Sequence, residues 1–327
     1  MKNENENETI LITGATGLVG TAVAKQIMSR FPKAQVRGTY CRTTPFFRHD
    51  RLGYVQADLT TREGCRKAVQ GCNVVIMAAA CTGGANAAAV APSTQVTDNL
   101  VMDALMLDAM HREGIHRAVY LSSATVYQEQ DGYVKEEDLD WNCDPHPTHF
   151  GVGWAKRASE KLCRFWHEKH GMEFIVLRCA NIFGPYSKFD PAVSNFIPAI
   201  IRKAVGKMDP FEVWGSPDVS RDALFVDDLA VVVSILLESS DLPFGIFNIG
   251  MGKTCMVREV VDLSLKFAQH HPSKVVYRSD KPTTIRSRAL DCHKIRQYLN
   301  WTPHFSIEQG IEKTLRWWEK NEGTWQK

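Results

Sequence analysis

The hydrophobic positions of this chain form short runs that alternate with longer amphipathic stretches. Runs rich in Val and Ile predict strands, and stretches with apolar residues every three to four positions predict helices. Such an alternation is typical of a parallel sheet with helices on both faces. We therefore predict an α/β fold with a doubly wound parallel sheet. The predicted strands are Thr9–Thr13, Gln35–Tyr40, Gly53–Gln56, Val74–Ala78, Ala118–Leu121 and Glu173–Leu177, and the main predicted helices are Val19–Ser29, Arg62–Val69, Asn99–His111 and Trp154–His170.

Beyond residue 181 the alternation becomes less regular and prolines recur. A strand-like segment at Gly245–Gly250 follows a helix that begins near Val226, and the pattern at Phe305–Lys320 predicts an amphipathic helix. The chain is therefore expected to form a large domain at 1–182, with a return segment at about 222–250. A smaller C-terminal α/β region would consist of 183–221 and 251–327.

The composition is that of an ordinary soluble globular protein, with 44% hydrophobic and 23% charged residues. The 39 basic and 37 acidic residues give a net charge of +2, which indicates neither a nucleic-acid nor a membrane partner. The polar first nine residues lack the apolar segment of a secretory signal. Nine dispersed cysteines without a CxxC pair favour reduced thiols, and we therefore expect a cytoplasmic protein.

A glycine-rich turn follows the first predicted strand. The strand, the turn and the helix after it provide the context in which a GxxGxxG motif binds a dinucleotide. Glycines allow the tight turn and let the backbone approach a pyrophosphate, while the amides and dipole at the start of the helix hold the phosphates. The residues predicted to contact the dinucleotide here are Gly14, Thr16, Gly17, Leu18, Val19 and Gly20.

The ends of the next strands bear on which dinucleotide binds. An acidic residue about 20 positions after the glycines would bond the ribose of NAD, but the segment 38–44 has none. Arg42 in this segment is suited to the 2′-phosphate of NADP, so we favour NADP (NADPH) over NAD. Asp58 and Leu59 follow the third strand and are predicted near the adenine. The fourth strand ends in small residues beside which a dinucleotide could lie, Ala78, Ala79 and Ala80.

Several further motifs, in a fixed order along the chain, complete a recognisable set. They are Leu121–Tyr127 (LSSATVY), Phe150–Lys156, Asn181–Pro185 (NIFGP), Arg221–Asp228, Phe247–Gly250 and Leu290–Pro303. Together with the glycine-rich turn, this set resembles the extended short-chain dehydrogenase/reductases, also called the NAD-dependent epimerase/dehydratase family, and particularly its UDP-galactose 4-epimerase and GDP-fucose synthase members. The resemblance implies a Rossmann-type dinucleotide-binding domain, a C-terminal region that binds a nucleotide sugar, and a homodimer built from the helices at 99–110 and around Lys156.

The resemblance also assigns roles to individual residues. Ser123 is expected to hydrogen-bond a sugar oxygen at the reacting carbon. Lys156 is expected to bind the nicotinamide ribose and to lower the pKa of a tyrosine one turn before it. Asn181 and Arg221 are expected to contact the nucleotide diphosphate, with Arg288 as a further candidate. Arginine is apt there because its planar fork can pair with phosphate through two hydrogen bonds.

The tyrosine of this pattern is absent, because Val152 stands four residues before Lys156. Valine cannot exchange a proton, and general acid–base help contributes ~10²–10⁴-fold to a rate. Three explanations remain open. A neighbour such as His149, Tyr186 or Tyr127 supplies the proton, the protein binds a dinucleotide without turnover, or the tyrosine was exchanged deliberately to trap a complex.

The segment after Ser123 narrows the expected reaction. Family dehydratases and decarboxylases carry an acidic residue in the segment that corresponds to 124–126, and its absence here disfavours elimination. Thr125 and, more loosely, Asn195 match the Cys and His with which GDP-fucose synthase epimerises its substrate, so double epimerisation is also disfavoured. The expected activity is NAD(P)-dependent hydride chemistry at one sugar carbon, C4, as a 4-ketoreductase or 4-epimerase. The alternative is a catalytically silent dinucleotide-binding regulator or scaffold.

One cluster of metal-capable side chains lies at residues 143–149, which include Cys143, Asp144, His146 and His149. Two prolines interrupt this segment, and its spacing matches no structural zinc pattern. We therefore predict no metal site.

Overall fold

The computed structural model of the protein describes residues 8–84, 93–239, 243–278 and 287–325. Its strands are β1 (Thr9–Ile12), β2 (Gln35–Tyr40), β3 (Leu52–Gln56), β4 (Val74–Met77), β5 (Arg117–Ser123), β6 (Gly132–Val134), β7 (Glu173–Cys179), β8 (Asn181–Phe183), β9 (Phe211–Trp214), β10 (Ser220–Phe225), β11 (Phe244–Ile249), β12 (Thr254–Met256), β13 (Val275–Arg278) and β14 (Ser287–Leu290). Its α-helices are α1 (Leu18–Arg30), α2 (Arg62–Val69), α3 (Asn99–Glu113), α4 (Phe150–His170), α5 (Phe196–Val205), α6 (Val226–Glu238), α7 (Val257–Phe267), α8 (His293–Leu299) and α9 (Ile307–Asn321).

Seven strands form one parallel sheet in the order β11-β7-β5-β4-β1-β2-β3. The strand order reverses between β1 and β4, and α/β sheets bind ligands outside the carboxyl ends of their strands at such a point. Because the seven strands are parallel, their carboxyl ends all lie at one edge of the sheet, called the carboxyl edge. The predicted doubly wound parallel sheet is thus confirmed.

Alternating side chains of the sheet face two helical layers, as the two-residue period of a strand requires. Ile10 and Ile12 of β1 belong to a core that includes residues of α1 and α6. Leu11, between them, belongs to the opposite core, which includes residues of α2, α3 and α4. Each of these three side chains is fully buried. The sheet is therefore covered on both faces, and its open edge is where polar groups can meet a ligand.

The C-terminal region contains more regular structure than the sequence pattern indicated. β10 pairs in parallel with β8 and β14 and antiparallel with β12, and β14 pairs with β6. A separate parallel pair, β9 and β13, completes this region. Because β8 follows β7 after one residue, the second sheet begins directly at the carboxyl edge of the first.

The prediction for the start of the helix that carries Lys156 was wrong by four residues. The structure begins α4 at Phe150 rather than at Trp154, because residues 147–149 form a 3₁₀ turn that continues into the helix. Val152 consequently lies in the first turn of α4. Among the described residues no helix is long and apolar enough to cross a membrane, and all nine cysteines are free thiols.

A buried ion pair joins α4 to the central sheet. Arg178 of β7 approaches Glu160 of α4 with Nη2 2.8 Å from Oε2 and Nε 3.1 Å from Oε1, and the two residues are 2% and 1% exposed. The Ser122 hydroxyl also donates to Glu160 Oε1, at 2.6 Å. A buried pair of this kind destabilises a protein strongly when one partner is lost, since the other charge remains buried.

Replacing Glu160 by Gln is expected to lower the free energy of unfolding by about 3–5 kcal/mol, because the Arg178 guanidinium loses its counter-charge. Urea denaturation measures this loss. Glu168→Gln is the matched control, since Glu168 lies on the same helix but forms an exposed pair with Arg164. We expect almost no change in that control. Equal denaturation midpoints for the two variants would contradict this account of the ion pair.

Candidate active site

In the glycine turn, only glycine fits at two positions. At a third position the glycine leaves space that a ligand could occupy. Gly14 has a φ of +66°, and a Cβ there would lie 2.8 Å from Ala79 Cα. A Cβ at Gly20 would lie 2.4 Å from the Gly14 carbonyl oxygen. Among the described residues, a Cβ at Gly17 would meet only the Gly14 carbonyl oxygen within 4 Å, at 3.4 Å. Packing of the protein thus explains Gly14 and Gly20, whereas Gly17 leaves open space at the start of α1.

Two threonines fix this turn to its neighbouring strands. The Gly14 amide donates to Thr39 Oγ1 of β2 at 3.0 Å. Thr13 Oγ1 accepts from the amides of Ala78 and Ala79, each at 2.9 Å. No motif indicates either threonine, although Thr13 adjoins the glycines and is buried. These bonds bring the glycine turn and the small residues after β4 together at one edge of the sheet.

The first turn of α1 is arranged to receive an anion. Gly17 is the N-cap and supplies no side-chain hydrogen bond, and no acidic residue lies in the first turn. Thr16 is buried within the turn, and Leu18 and Val19 begin the helix. Phosphate groups are stabilised at such a terminus by the amides and by the helix dipole.

Arg42 and Asp58 both lie exposed at the carboxyl edge of the sheet. The Thr60 hydroxyl and amide donate to Asp58 Oδ1 at 2.7 and 3.0 Å. These bonds hold the pKa of the Asp58 carboxyl below its ordinary value, and the nearby charge of Arg42 contributes in the same direction. Leu59 differs from expectation, because its side chain is buried in the core with residues of α2 and α3. Of the pair after β3, Asp58 therefore presents the accessible side chain.

Ser123 ends β5 and begins the turn that follows. Its Oγ accepts from the Thr125 amide at 3.2 Å. Thr125 Oγ1 is buried and makes no hydrogen bond within the part of the chain that the structure describes. The carbonyl oxygen of Thr125 lies so close to α4 that a Cβ at Gly153 would be 2.5 Å from it. The turn after Ser123 thus packs directly against the first turn of α4, beside Val152.

The ammonium group of Lys156 is held by polar groups of β5 and α3. Its Nζ donates to Tyr120 Oη at 2.9 Å and to the Leu121 carbonyl at 3.1 Å, and it lies 3.8 Å from Asp103 Oδ2. The Tyr120 hydroxyl and Ser159 Oγ both donate to the same Asp103 oxygen, at 2.6 and 2.8 Å. No motif indicates Asp103, because it lies among the Leu and Met residues of α3.

Two of the three candidate substitutes for the missing tyrosine are engaged elsewhere. Tyr127 is fully buried, and its hydroxyl donates to Asn248 Oδ1 at 2.6 Å. Tyr186 Oη accepts from Lys25 Nζ at 2.9 Å, and its ring packs against Trp317 and Trp325 near the end of the described chain. His149 remains. It is the N-cap of α4 and lies three residues before Val152.

Two arginines face the same region from the second sheet. Arg221 of β10 and Arg288 of β14 are directly paired in register on neighbouring strands. Arg288 Nη2 donates to the carbonyl of Ala124, next to Ser123, at 2.9 Å. Arg221 Nη1 donates to the Ser220 carbonyl at 2.8 Å. Burial lowers the pKa of both guanidinium groups to about 10, which indicates two desolvated positive charges at this site.

His149 and Asn181 complete this group. Burial lowers the pKa of the His149 imidazole to about 4, and the charges of Arg288 and Arg221 act in the same direction. Asn181 lies on β8, which pairs with β10 as β14 does. It is exposed, although its Nδ2 donates to the Asp222 carbonyl at 2.8 Å. The predicted substrate residues thus come from three adjacent strands, β8, β10 and β14.

The metal-capable residues of the 143–149 segment bond to other groups. Asp144 Oδ1 accepts from Trp154 Nε1 at 2.9 Å, and Cys143 Sγ donates to Asp140 at 3.1 Å. In the described ranges no group of three or more His, Cys, Asp or Glu side chains is arranged to hold a metal ion.

Gly17→Ala is expected to weaken dinucleotide binding without destabilising the fold. The added methyl group fits the protein but occupies the space nearest the phosphates, so the Kd for NADPH should rise by at least about tenfold, or 1.4 kcal/mol. Fluorescence titration and urea denaturation measure the two effects. Gly20→Ala is the contrast, and its overpacking is expected to cost about 1–3 kcal/mol of stability. Unchanged NADPH affinity in Gly17→Ala would contradict a dinucleotide site at this turn.

Two curated relatives match the chain along almost its whole length. GDP-L-fucose synthase of Escherichia coli (strain K12) is 25% identical over 329 residues, which cover 96% of this chain and 98% of the relative. GDP-mannose 3,5-epimerase of Arabidopsis thaliana is 26% identical over 326 residues, covering 96% of this chain and 82% of the relative.

Solved structures share the fold at lower identity. UDP-glucose 4-epimerase of Thermotoga maritima, solved with UDP-glucose, has a TM-score of 0.84 at 19% identity and covers 96% of this chain and 99% of its own. A GDP-6-OMe-4-keto-L-xylo-heptose reductase from C. jejuni has a TM-score of 0.82 at 21% identity, with 98% and 99% covered. The model of the NAD-dependent epimerase/dehydratase family matches residues 10–250, from β1 to just beyond β11. The resemblance found in the motifs is therefore confirmed, and the chain belongs to this family.

Proposed function

We propose that this protein is an NAD(P)-dependent oxidoreductase or epimerase that transfers a hydride at C4 of a nucleotide sugar. The observation that carries the proposal is the meeting of three groups at one sheet edge. The glycine turn lies at the end of β1, and Ser123 ends β5, to which Lys156 of α4 donates a hydrogen bond. Arg288, the register partner of Arg221, bonds the carbonyl of Ala124 next to Ser123. This arrangement suits a dinucleotide on one side and a diphosphate-linked sugar on the other.

Relatives with nucleotide-sugar names support the substrate class. The relatives and structures described above act on GDP- or UDP-linked sugars according to their names, and two of those names specify position 4 or a 4-keto group. We assign dinucleotide binding to residues 1–182 with the return segment at about 222–250. Nucleotide-sugar binding then falls to 183–221 and 251–327, although Asn181 and Arg221 lie close to these boundaries.

Each residue of the site has a part in the proposed reaction. When bound, the dinucleotide supplies or accepts the hydride. Ser123 Oγ would hydrogen-bond the sugar oxygen at the reacting carbon, since it ends β5 at the ligand edge. Lys156, held by Tyr120 and Asp103, would bind the nicotinamide ribose and keep a positive charge beside the reacting carbon. Arg221 and Arg288 would hold the diphosphate, an interaction strengthened by their desolvation.

We also propose a homodimer, formed through α3 and α4. Both helices expose apolar side chains, with Val101 38% exposed on α3 and Phe165 45% exposed on α4. Phe150 and Trp154 of α4 are also exposed. Exposed apolar side chains on neighbouring helices are typical of an interface, and sedimentation equilibrium measures the oligomeric state.

NADPH is proposed as the preferred cofactor, because Arg42 is an exposed cation beside Asp58 at the adenosine end of the site. Arg42→Ala is expected to raise the Kd for NADPH by about tenfold or more, while the Kd for NADH stays unchanged. Arg48→Ala, an exposed arginine of the same loop, is the control. If Arg42→Ala weakens both dinucleotides equally, or neither, the proposed preference has no basis in this residue.

The reaction is tested with the native chain and a Val152→Tyr variant. Both receive NADPH or NADH and a panel of GDP-, UDP-, dTDP- and CDP-linked 4-keto and 4-hydroxy sugars. We expect turnover of one sugar class, and a rise in kcat in Val152→Tyr wherever the restored phenol becomes the better acid, by up to ~10²–10⁴-fold. Stoichiometric NADPH consumption would identify a reductase, and conversion without net redox change an epimerase.

Val152 itself favours one alternative, a catalytically silent regulator or scaffold that binds a dinucleotide. This second function predicts tight NADPH or NADH binding, no turnover of any sugar nucleotide, and no activity gained in Val152→Tyr. Failure of both proteins to bind any dinucleotide would exclude the two functions together.

A further inference from the structure

We propose that Lys188 supplies the positive charge that pairs with the pyrophosphate of a bound dinucleotide. The inference rests on the proposed function and deepens it, because it adds a cofactor residue that no sequence motif indicates. Lys188 lies within 183–221, a part of the chain to which nucleotide-sugar binding is assigned. A lysine from this part that holds the dinucleotide would fasten the C-terminal region to the cofactor.

The glycine turn itself carries no positive charge. None of residues 13–21 is basic, and Arg42 is expected at the 2′-phosphate, at the adenosine end of the site. The pyrophosphate carries two negative charges, whereas a helix dipole contributes only about half a positive charge at the N-terminus. A further cation near the start of α1 would therefore strengthen the binding of a dinucleotide.

The segment 184–188 reaches from the first turn of α1 to the loop that follows β4. At one end, a Cβ on Gly184 would lie 3.4 Å from Leu18 Cδ1. At the other end, Lys188 Nζ donates to the carbonyl oxygen and to Oγ1 of Thr82, at 2.5 and 3.2 Å. Since the pyrophosphate is expected at the start of α1, this segment brings a lysine to the edge of the sheet where the dinucleotide would lie.

The loop that Lys188 contacts is itself fixed to the glycine turn and to α3. The amide of Ala79 donates to Thr13 Oγ1 at 2.9 Å, directly before the glycines. Two residues later, the amide of Cys81 donates to Asn99 Oδ1 of α3 at 2.7 Å. The ammonium group of Lys188 is therefore bonded to a loop whose position relative to the glycine turn is defined.

The protein compensates the charge of Lys188 only in part. The side chain is half-buried, and within the described part of the chain no carboxylate pairs with its ammonium group. Burial lowers the pKa of this group, so its surroundings disfavour the charged form. An ammonium group has three donors, and Thr82 accepts from it at two atoms, so a phosphate oxygen can take the third. A partly desolvated cation also attracts an anion more strongly than an exposed one does.

The pyrophosphate is common to the nicotinamide dinucleotides, so Lys188 should contribute equally to the binding of NAD and NADP. Arg42, by contrast, is expected to act only on the 2′-phosphate. The two cations therefore predict different patterns of lost affinity, which the same titrations can tell apart.

Lys188→Met removes the charge and keeps a side chain of similar length. In fluorescence titrations the Kd for NADPH and the Kd for NADH should both rise by about tenfold or more. Adenosine 2′-monophosphate lacks the pyrophosphate, so its inhibition constant as a competitor of NADPH should stay the same. Lys203→Met is the matched control, since Lys203 is a half-buried lysine of α5 whose Nζ donates to the Glu212 carbonyl at 2.8 Å. Both Kd values should be unchanged in that control, and urea denaturation shows whether each variant is folded.

Salt and a second variant separate the pairing of charges from a purely structural effect of the bond to Thr82. Between about 0.05 and about 0.5 M NaCl, the native Kd for NADPH should rise more steeply than that of Lys188→Met, because salt screens the charge pair. The ratio of the two Kd values should therefore fall as salt is added. Lys188→Arg keeps the charge and should keep most of the affinity that Lys188→Met loses.

The outcomes distinguish this inference from the proposed function. If the native chain binds no dinucleotide, the proposed function is wrong. If Lys188→Met binds NADPH and NADH as tightly as the native chain does, the inference about Lys188 is wrong while the proposed function stands. A loss that does not depend on salt, or an equal loss in Lys188→Arg, would also overturn the inference, because the bond to Thr82 would then explain the effect. Weaker binding of UDP-glucose with unchanged dinucleotide affinity would overturn it too and assign Lys188 to the nucleotide sugar.

Discussion

The turn after β1 brings backbone against backbone at distances that no side chain would allow. The carbonyl of Gly14 lies beneath α1 at Gly20, and the Cα of Ala79 lies against Gly14. These contacts fix how closely the ends of β1 and β4 approach each other, and the position of β5 follows from its pairing with β4. The distance between the glycine turn and Ser123 therefore depends on Gly14 and Gly20, two residues that have no side chain.

The alternation of apolar runs and amphipathic stretches was enough to predict the central sheet, because each strand and each helix carries its own local period. The second sheet left no comparable signal. β6 and β14 are three and four residues long, and they pair in parallel although more than 150 residues separate them in the chain. A pairing of this kind depends on the arrangement of the first sheet, so a local pattern cannot indicate it. The start of α4 was misplaced for a different, local reason, because the turn at residues 147–149 continues directly into the helix.

The candidate site shows the same difference between local motifs and contacts that form only in the folded protein. Motifs read along the chain identified Ser123, Lys156 and the glycine turn, since each depends on neighbours in sequence. The hydrogen bonds that hold Lys156 could not be predicted. Asp103 lies among Leu and Met residues of a helix and contacts Tyr120 only in the folded protein. The environment of His149 likewise arises from arginines on two distant strands. Sequence could name it as one of three candidates, and the bonds of Tyr127 and Tyr186 separated them.

Tyr186 packs against a residue near the end of the described chain. Trp325 lies against that ring and donates from its indole nitrogen to the Ser187 carbonyl at 2.8 Å. It also contacts Phe46, four residues after Arg42, with ring centroids 5.5 Å apart. The described residues around Trp325 thus pack against the loop that carries Arg42 and Phe46. A substitution that shrinks the side chain at position 325 would therefore remove a contact of Phe46 and loosen the loop that carries Arg42, although position 325 lies far from that loop in sequence.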